Sequence, residues 1–130
     1  MDVIDKTLAK LEENKKSVED HRDICQKAYE ALKSVNQRCM FEMFGIEKYD
    51  LWCYIFPESK KDMLTALGAL SKAGIKKEGK SYMNGRRLGY DLKDKDGAEI
   101  NLLIDMTNNK TCKVVQVDEE VQPVYEVVCE

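Results

Sequence analysis

Gly74-Ile75-Lys76-Lys77-Glu78-Gly79-Lys80-Ser81 satisfies the phosphate-loop formula G-x-x-x-x-G-K-[ST] letter for letter. Further on, Leu102-Leu103-Ile104-Asp105 has the form of an apolar strand ending in a metal-binding aspartate. A phosphate loop works because its amides and the N-terminus of the helix it opens surround the phosphates. That requires a buried strand before it and a helix after it. Here the order is reversed: an amphipathic helical pattern precedes Gly74, and Tyr82-Met83-Asn84-Gly85, a strand-and-turn sequence, follows Ser81. The match does not carry an NTPase, although a looser phosphate contact by Lys80 stays open.

The same stretch sets Lys76, Lys77, Lys80, Arg86 and Arg87 against one acid, Glu78, with Tyr82 and Tyr90 interleaved. Basic side chains neutralise phosphates and aromatic rings stack on bases, so Lys76, Lys77, Lys80, Ser81, Arg86 and Arg87 form the candidate nucleotide or nucleic-acid surface. The plainer reading is a solvated hairpin whose lysines discourage edge pairing. Opposite in sign, Asp118, Glu119 and Glu120 lead an acidic C-terminal stretch that suits a basic partner or serves only as a solvated loop. Trp52, Tyr54 and Phe56 alternate with Leu51, Cys53 and Ile55, so both faces of this strand are apolar. Trp52 is thereby a candidate contact for a protein partner unless its own chain covers it.

Candidates for acid-base or metal chemistry are few. His21 is the one histidine, flanked by Asp20, Arg22 and Asp23, where a helix-surface role is the simpler account. A Ser-His-Asp triad or a Cys-His pair would rest on it alone. The acids of the N-terminal segment are interspersed with Lys10, Lys15, Lys16 and Arg22 and show no convergent metal-ligand spacing. The expectation is no catalytic set, no metal and no cofactor. If the last two strands form a hairpin, strand parity lets Cys112 lie opposite Cys129, which allows a disulfide or a thiolate clip, but two small buried hydrophobes is the favoured reading.

These residues must be positioned by few elements. The chain has 130 residues, 43% of them hydrophobic, enough for one domain spanning 1–130. Its 21 basic and 24 acidic residues give a net charge of -3, which argues against nucleic-acid binding through bulk charge. The N-terminus lacks a basic-then-apolar layout and no run of about 18 apolar residues occurs, so no membrane span and a cytoplasmic location are expected. Five cysteines without a C-x-x-C pair fit reduced thiols.

Ile4, Leu11, Val18, Cys25, Leu32 and Cys39 recur at every seventh place, and neither proline nor glycine interrupts residues 2–44. The spacing predicts one long helix over 1–44, bent near Lys15 to Ser17, with a second helix start at Ser17 as the alternative. Its polar middle leaves Ile4, Leu8 and Leu11 as an interface for a partner or for a homodimer through the helix. A β-α-β-β-β-β portion over 45–130 follows. It comprises a strand from Tyr49 to Phe56, a helix over about 59–73 capped by Ser59 and Gly74, and about four antiparallel strands forming one sheet. Turns are expected at Asn84-Gly85, Asp94-Lys95-Asp96-Gly97 and Thr107-Asn108-Asn109-Lys110. The fold class expected is α+β.

The ending Val121-Gln122-Pro123-Val124-Tyr125-Glu126-Val127-Val128-Cys129, after Cys112-Lys113-Val114-Val115, resembles the C-terminal hairpins of small uncharacterised bacteriophage proteins. The resemblance covers under a fifth of the chain and implies a viral accessory role. The leading expectation is therefore a non-catalytic binding protein that occupies a protein or nucleoprotein partner, as an inhibitor of a host enzyme or defence complex, and not an enzyme. The alternatives are a nucleotide- or nucleic-acid-binding protein using the 76–87 hairpin, and an oligomeric structural protein.

Overall fold

A computed structural model describes residues 2–45, 50–118 and 124–130. The α+β class holds, with elements in the order α1 (Val3–Asp20), α2 (Arg22–Ser34), β1 (Cys39–Phe44), β2 (Asp50–Ile55), α3 (Lys60–Lys72), β3 (Lys76–Asn84), β4 (Arg87–Lys93), β5 (Glu99–Asp105), β6 (Cys112–Asp118) and β7 (Val124–Cys129). Two expectations fail at once. The long helix over 1–44 is two helices broken at His21, and residues 39–44 are a strand. The break at His21 comes without a side-chain cap.

The helix ends where Asn36 adopts φ 56°, with the Gln37 amide donating to Leu32 O at 2.9 Å. That is a Schellman closure made by asparagine instead of glycine, and it frees the next residues to extend. Helix α3 closes the same way with a glycine. Gly74 has φ 87°, the Ile75 amide donates to Leu70 O at 2.9 Å, and Ile75 is buried beneath the turn. At its other end Ser59 Oγ accepts from the Asp62 amide at 3.2 Å, the expected cap.

The strands form two sheets, not one. The larger has the order β1-β2-β5-β4-β3 and the smaller pairs β6 with β7. The larger sheet is mixed, since β2 runs parallel to β5 with Trp52 opposite Asn101 and Ile55 opposite Ile104. A parallel pair needs a crossover, and the chain from α3 through the β3–β4 hairpin supplies it. Alternation then gives the sheet two unlike faces. Leu51, Cys53, Ile55, Leu88, Leu92, Ile100, Leu102 and Ile104 point to one face and join Ile24, Ala28 and Leu32 of α2 and Met63, Ala66 and Leu70 of α3 in the core. The β6–β7 hairpin packs on β3, with Ser81 Oγ donating to Tyr125 O at 3.2 Å.

Cys112 and Cys129 are register partners, a pairing that strand parity allows, and they are joined as a disulfide. This corrects the reading of them as two unbonded thiols. Cys25, Cys39 and Cys53 are free. Among the described residues no helix is long and apolar enough to cross a membrane.

Candidate nucleotide-binding face

The second face of the large sheet carries Met40 and Glu42 on β1, Asp50, Trp52 and Tyr54 on β2, and Glu99, Asn101, Leu103 and Asp105 on β5. On β4 it carries Arg87, Gly89, Asp91 and Lys93, and on β3 Glu78 and Tyr82. The core cluster with its helices lies on the opposite side, so this face is polar with an aromatic centre. Tyr54 and Leu103 are nevertheless buried.

The aromatic centre is built by close packing. Tyr82 lies across the ladder from Gly89, and its ring fills the space a Cβ at residue 89 would need. Burial, then Asp91 and Tyr54, push the Tyr82 phenol up to about 12, so it stays a neutral hydroxyl. The Arg87 guanidinium lies 5.5 Å from the Tyr54 ring centroid while its Nε donates to Asp105 Oδ2 at 3.1 Å. Burial raises the Asp105 carboxyl, but hydrogen bonds from Thr107 and Arg87 outweigh it and hold the group below its ordinary value.

At the other end of the face the charge is negative. Partial burial, followed by the charges of Glu99, Glu78 and Asp50, raises the Asp91 carboxyl above its ordinary value. Lys93 Nζ stands 3.4 Å from Glu78 Oε2 and 3.8 Å from Glu99 Oε1, so one cation is shared by several acids. A cavity of about 310 Å³ lies at this end of the sheet, lined by Asp50, Glu99 and Asn101 together with His21, Leu51, Gly97 and Ala98, but not by Asp91. Carboxylate and amide oxygens are the donors that Mg²⁺ takes, usually one or two carboxylates with water and substrate phosphates completing the shell. Among the described residues no group of three such ligands is close enough to hold an ion unaided.

The residues singled out from sequence are dispersed. Lys76 and Lys80 are exposed on β3, an edge strand. Lys77 turns to the opposite face, 4.9 Å over the Tyr90 ring, and Ser81 is bonded to β7. Arg86 Nη2 donates to Asn109 O at 3.1 Å, and Arg87 pairs with Asp105. Gly79 has φ 73° within the register shift between Glu78 and Tyr82, so the glycine of the apparent phosphate loop serves a β-bulge. Trp52 lies half-buried on the open face. Ile4, Leu8 and Leu11 are exposed on α1. Asp118 ends β6, whereas Glu119 and Glu120 lie outside the described residues. The sequence reading missed Asp50, Asp91, Glu99 and Asn101. The alternation that turns Leu88, Leu92, Ile100 and Leu102 inward is the signal that would have found them.

This chain is similar in fold to part of the Cid1 poly(U) polymerase in its MgGTP-bound form. The TM-score is 0.50 at 18% identity, over 68% of this chain and 32% of that one. A cytoplasmic RNA terminal U-transferase scores 0.49 at 17% identity, over 70% of this chain and 29% of that one. This chain thus spans about a third of the length of the polymerase it matches. No protein-family model and no curated protein matches it. The likeness to the polymerase establishes a shared fold. The expectation of a non-catalytic binding protein, an inhibitor and not an enzyme, is corrected by this finding: the fold is shared with part of a polymerase.

Proposed function

We propose that this chain is a nucleotidyltransferase-like domain that takes a nucleoside triphosphate as its magnesium complex on the open face of the sheet. The observation that carries this reading is the strand register that sets Glu78 and Asn101 on either side of Asp91, and Glu99 opposite Lys93, at one end of the sheet face turned away from the helices, in a fold shared with part of a poly(U) polymerase. Among the described residues Lys93 is the one cation these acids share, which leaves the cluster net negative, and a metal-bound triphosphate supplies a second.

The roles follow from chemistry. Asp91, Asp50 and Glu99 would hold Mg²⁺ through one or two carboxylates at a time, with Asn101 as a neutral oxygen donor. The metal would screen the phosphates and stabilise charge that develops as an acceptor hydroxyl attacks the α-phosphorus and pyrophosphate leaves. Trp52 and Tyr82 offer flat surfaces for a base. Exposed Lys76 and Lys80 on β3 would contact the backbone of an acceptor strand, which retains part of the role first read for the hairpin.

Calorimetric titration with UTP and GTP tests the reading. With magnesium present, saturable heats are expected for the native chain and at least a tenfold weakening for Glu99→Gln. Equal heats with magnesium removed by a chelator, or no heats at millimolar nucleotide, would remove the proposal.

A further inference from the structure

His21 lies one turn before Ile24, which is wholly buried where α2 packs on the sheet. It stands at the break between α1 and α2 with φ −94° and ψ −4°, and its carbonyl accepts from the Cys25 amide at 3.0 Å. A residue at the head of a helix usually serves it with a side-chain oxygen that binds the first free amides. His21 makes no such bond, so the chain's single histidine is fixed at this corner without capping the helix that fixes it. The corner adjoins the first residues of the two parallel strands. His21, itself half-buried, lines the cavity of about 310 Å³ together with Asp50 of β2 and Glu99 and Asn101 of β5.

This cavity is rich in oxygen and poor in donors. Of its lining side chains only His21 and Asn101 carry N–H groups, and the Asn101 amide nitrogen lies 3.5 Å from Leu51 O. Asp50 and Glu99 suit a magnesium ion but repel the phosphate oxygens that come with it, which are acceptors and carry negative charge. We propose, resting on the nucleotide-binding reading above, that His21 grips the terminal phosphates of the bound triphosphate: one imidazole N–H donates to a phosphate oxygen while the carboxylates hold the metal. The neutral ring suffices, since it carries one N–H donor, and its other nitrogen remains for a partner within the chain. The imidazole thus reads the polyphosphate and not the base, which makes it a residue that separates a nucleotide from its nucleoside.

One histidine gives one set of imidazole proton signals, so the contact is read directly by NMR on the full chain. Magnesium tripolyphosphate and magnesium UTP should each shift those signals saturably, UTP with the midpoint found by calorimetry, and uridine should leave them in place. His21→Ala should weaken both polyphosphates by about tenfold, the usual worth of a hydrogen bond to a charged group. His21→Gln, which keeps an N–H at similar reach, should recover most of that loss, and melting curves check that both variants fold. Unmoved imidazole signals under saturating magnesium UTP, or native affinity in His21→Ala, would overturn the inference and leave the nucleotide-binding reading standing. So would an equal shift with uridine, which would put the ring against the base or sugar, or an equal loss in folded His21→Ala and His21→Gln. Absence of binding by every ligand would overturn both the inference and the reading it rests on.

Discussion

Tyr82 lies against Gly89, its register partner on the neighbouring strand, so closely that residue 89 has no room for a side chain. The glycine leaves β4 without a packing group at that point, and the tyrosine ring covers the gap.

Gly89→Ala should therefore destabilise the fold by about 1–3 kcal/mol, the usual cost of forcing extra volume into a packed site. Gly89→Ala combined with Tyr82→Ala should cost less than the two single changes summed, because removing the ring removes the clash. Denaturant midpoints of the four proteins measure this coupling.

Asp91→Asn should separate stability from function. The Asp91 carboxyl is raised in the folded chain, so the folded state binds its proton more tightly than the unfolded state does. Its contribution favours folding below about pH 4, the unfolded value, and is lost as pH rises through the folded value. At pH 7 the native chain carries this penalty and the asparagine variant does not. Melting curves between pH 3 and 7 should show the variant gaining on the native protein as pH rises, while nucleotide binding falls.

Asp105 has the opposite sign. Thr107 and Arg87 hold its carboxyl below the ordinary value despite burial, so its contribution is present above about pH 4 and lost as pH falls through the folded value. Arg87→Met should remove part of that acid sensitivity, read as a smaller drop in melting temperature below pH 4.

Asn109 Nδ2 donates to Pro57 O and Glu58 O, both at 3.2 Å, and its Oδ1 accepts from the amides of Thr111 and Cys112. Asn109→Ala should cost about 1–3 kcal/mol, since it strands several backbone groups at once.

Much of the sheet was legible in the sequence because its signals are local. Gly85 at φ 62° makes the expected hairpin turn, with Asn84 opposite Arg87. Ile100, Leu102 and Ile104 alternate inward as read, and Cys112 faces Cys129. The failures have equally specific causes. Cys-Met-Phe-Glu-Met-Phe continues a seven-residue apolar repeat without glycine or proline, and the stop comes from Asn36 in a left-handed conformation, a weaker signal than glycine. The parallel pairing of β2 with β5 joins segments far apart in sequence and leaves no local mark. The acidic face went unseen for the same reason. Asp50, Asp91 and Glu99 come from three strands, and only the sheet order brings them to one end of one face.

The chain's single tryptophan offers the most direct test of the nucleotide-binding account, because Trp52 lies on the open face opposite Asn101 and two residues from Asp50. Its fluorescence should change saturably when UTP or GTP is added with magnesium. The response should vanish when the metal is chelated and shift at least tenfold to higher nucleotide in Asp91→Asn. An unchanged spectrum at millimolar nucleotide and magnesium, in a chain shown to be folded, would contradict the account, as would an identical response in Asp91→Asn.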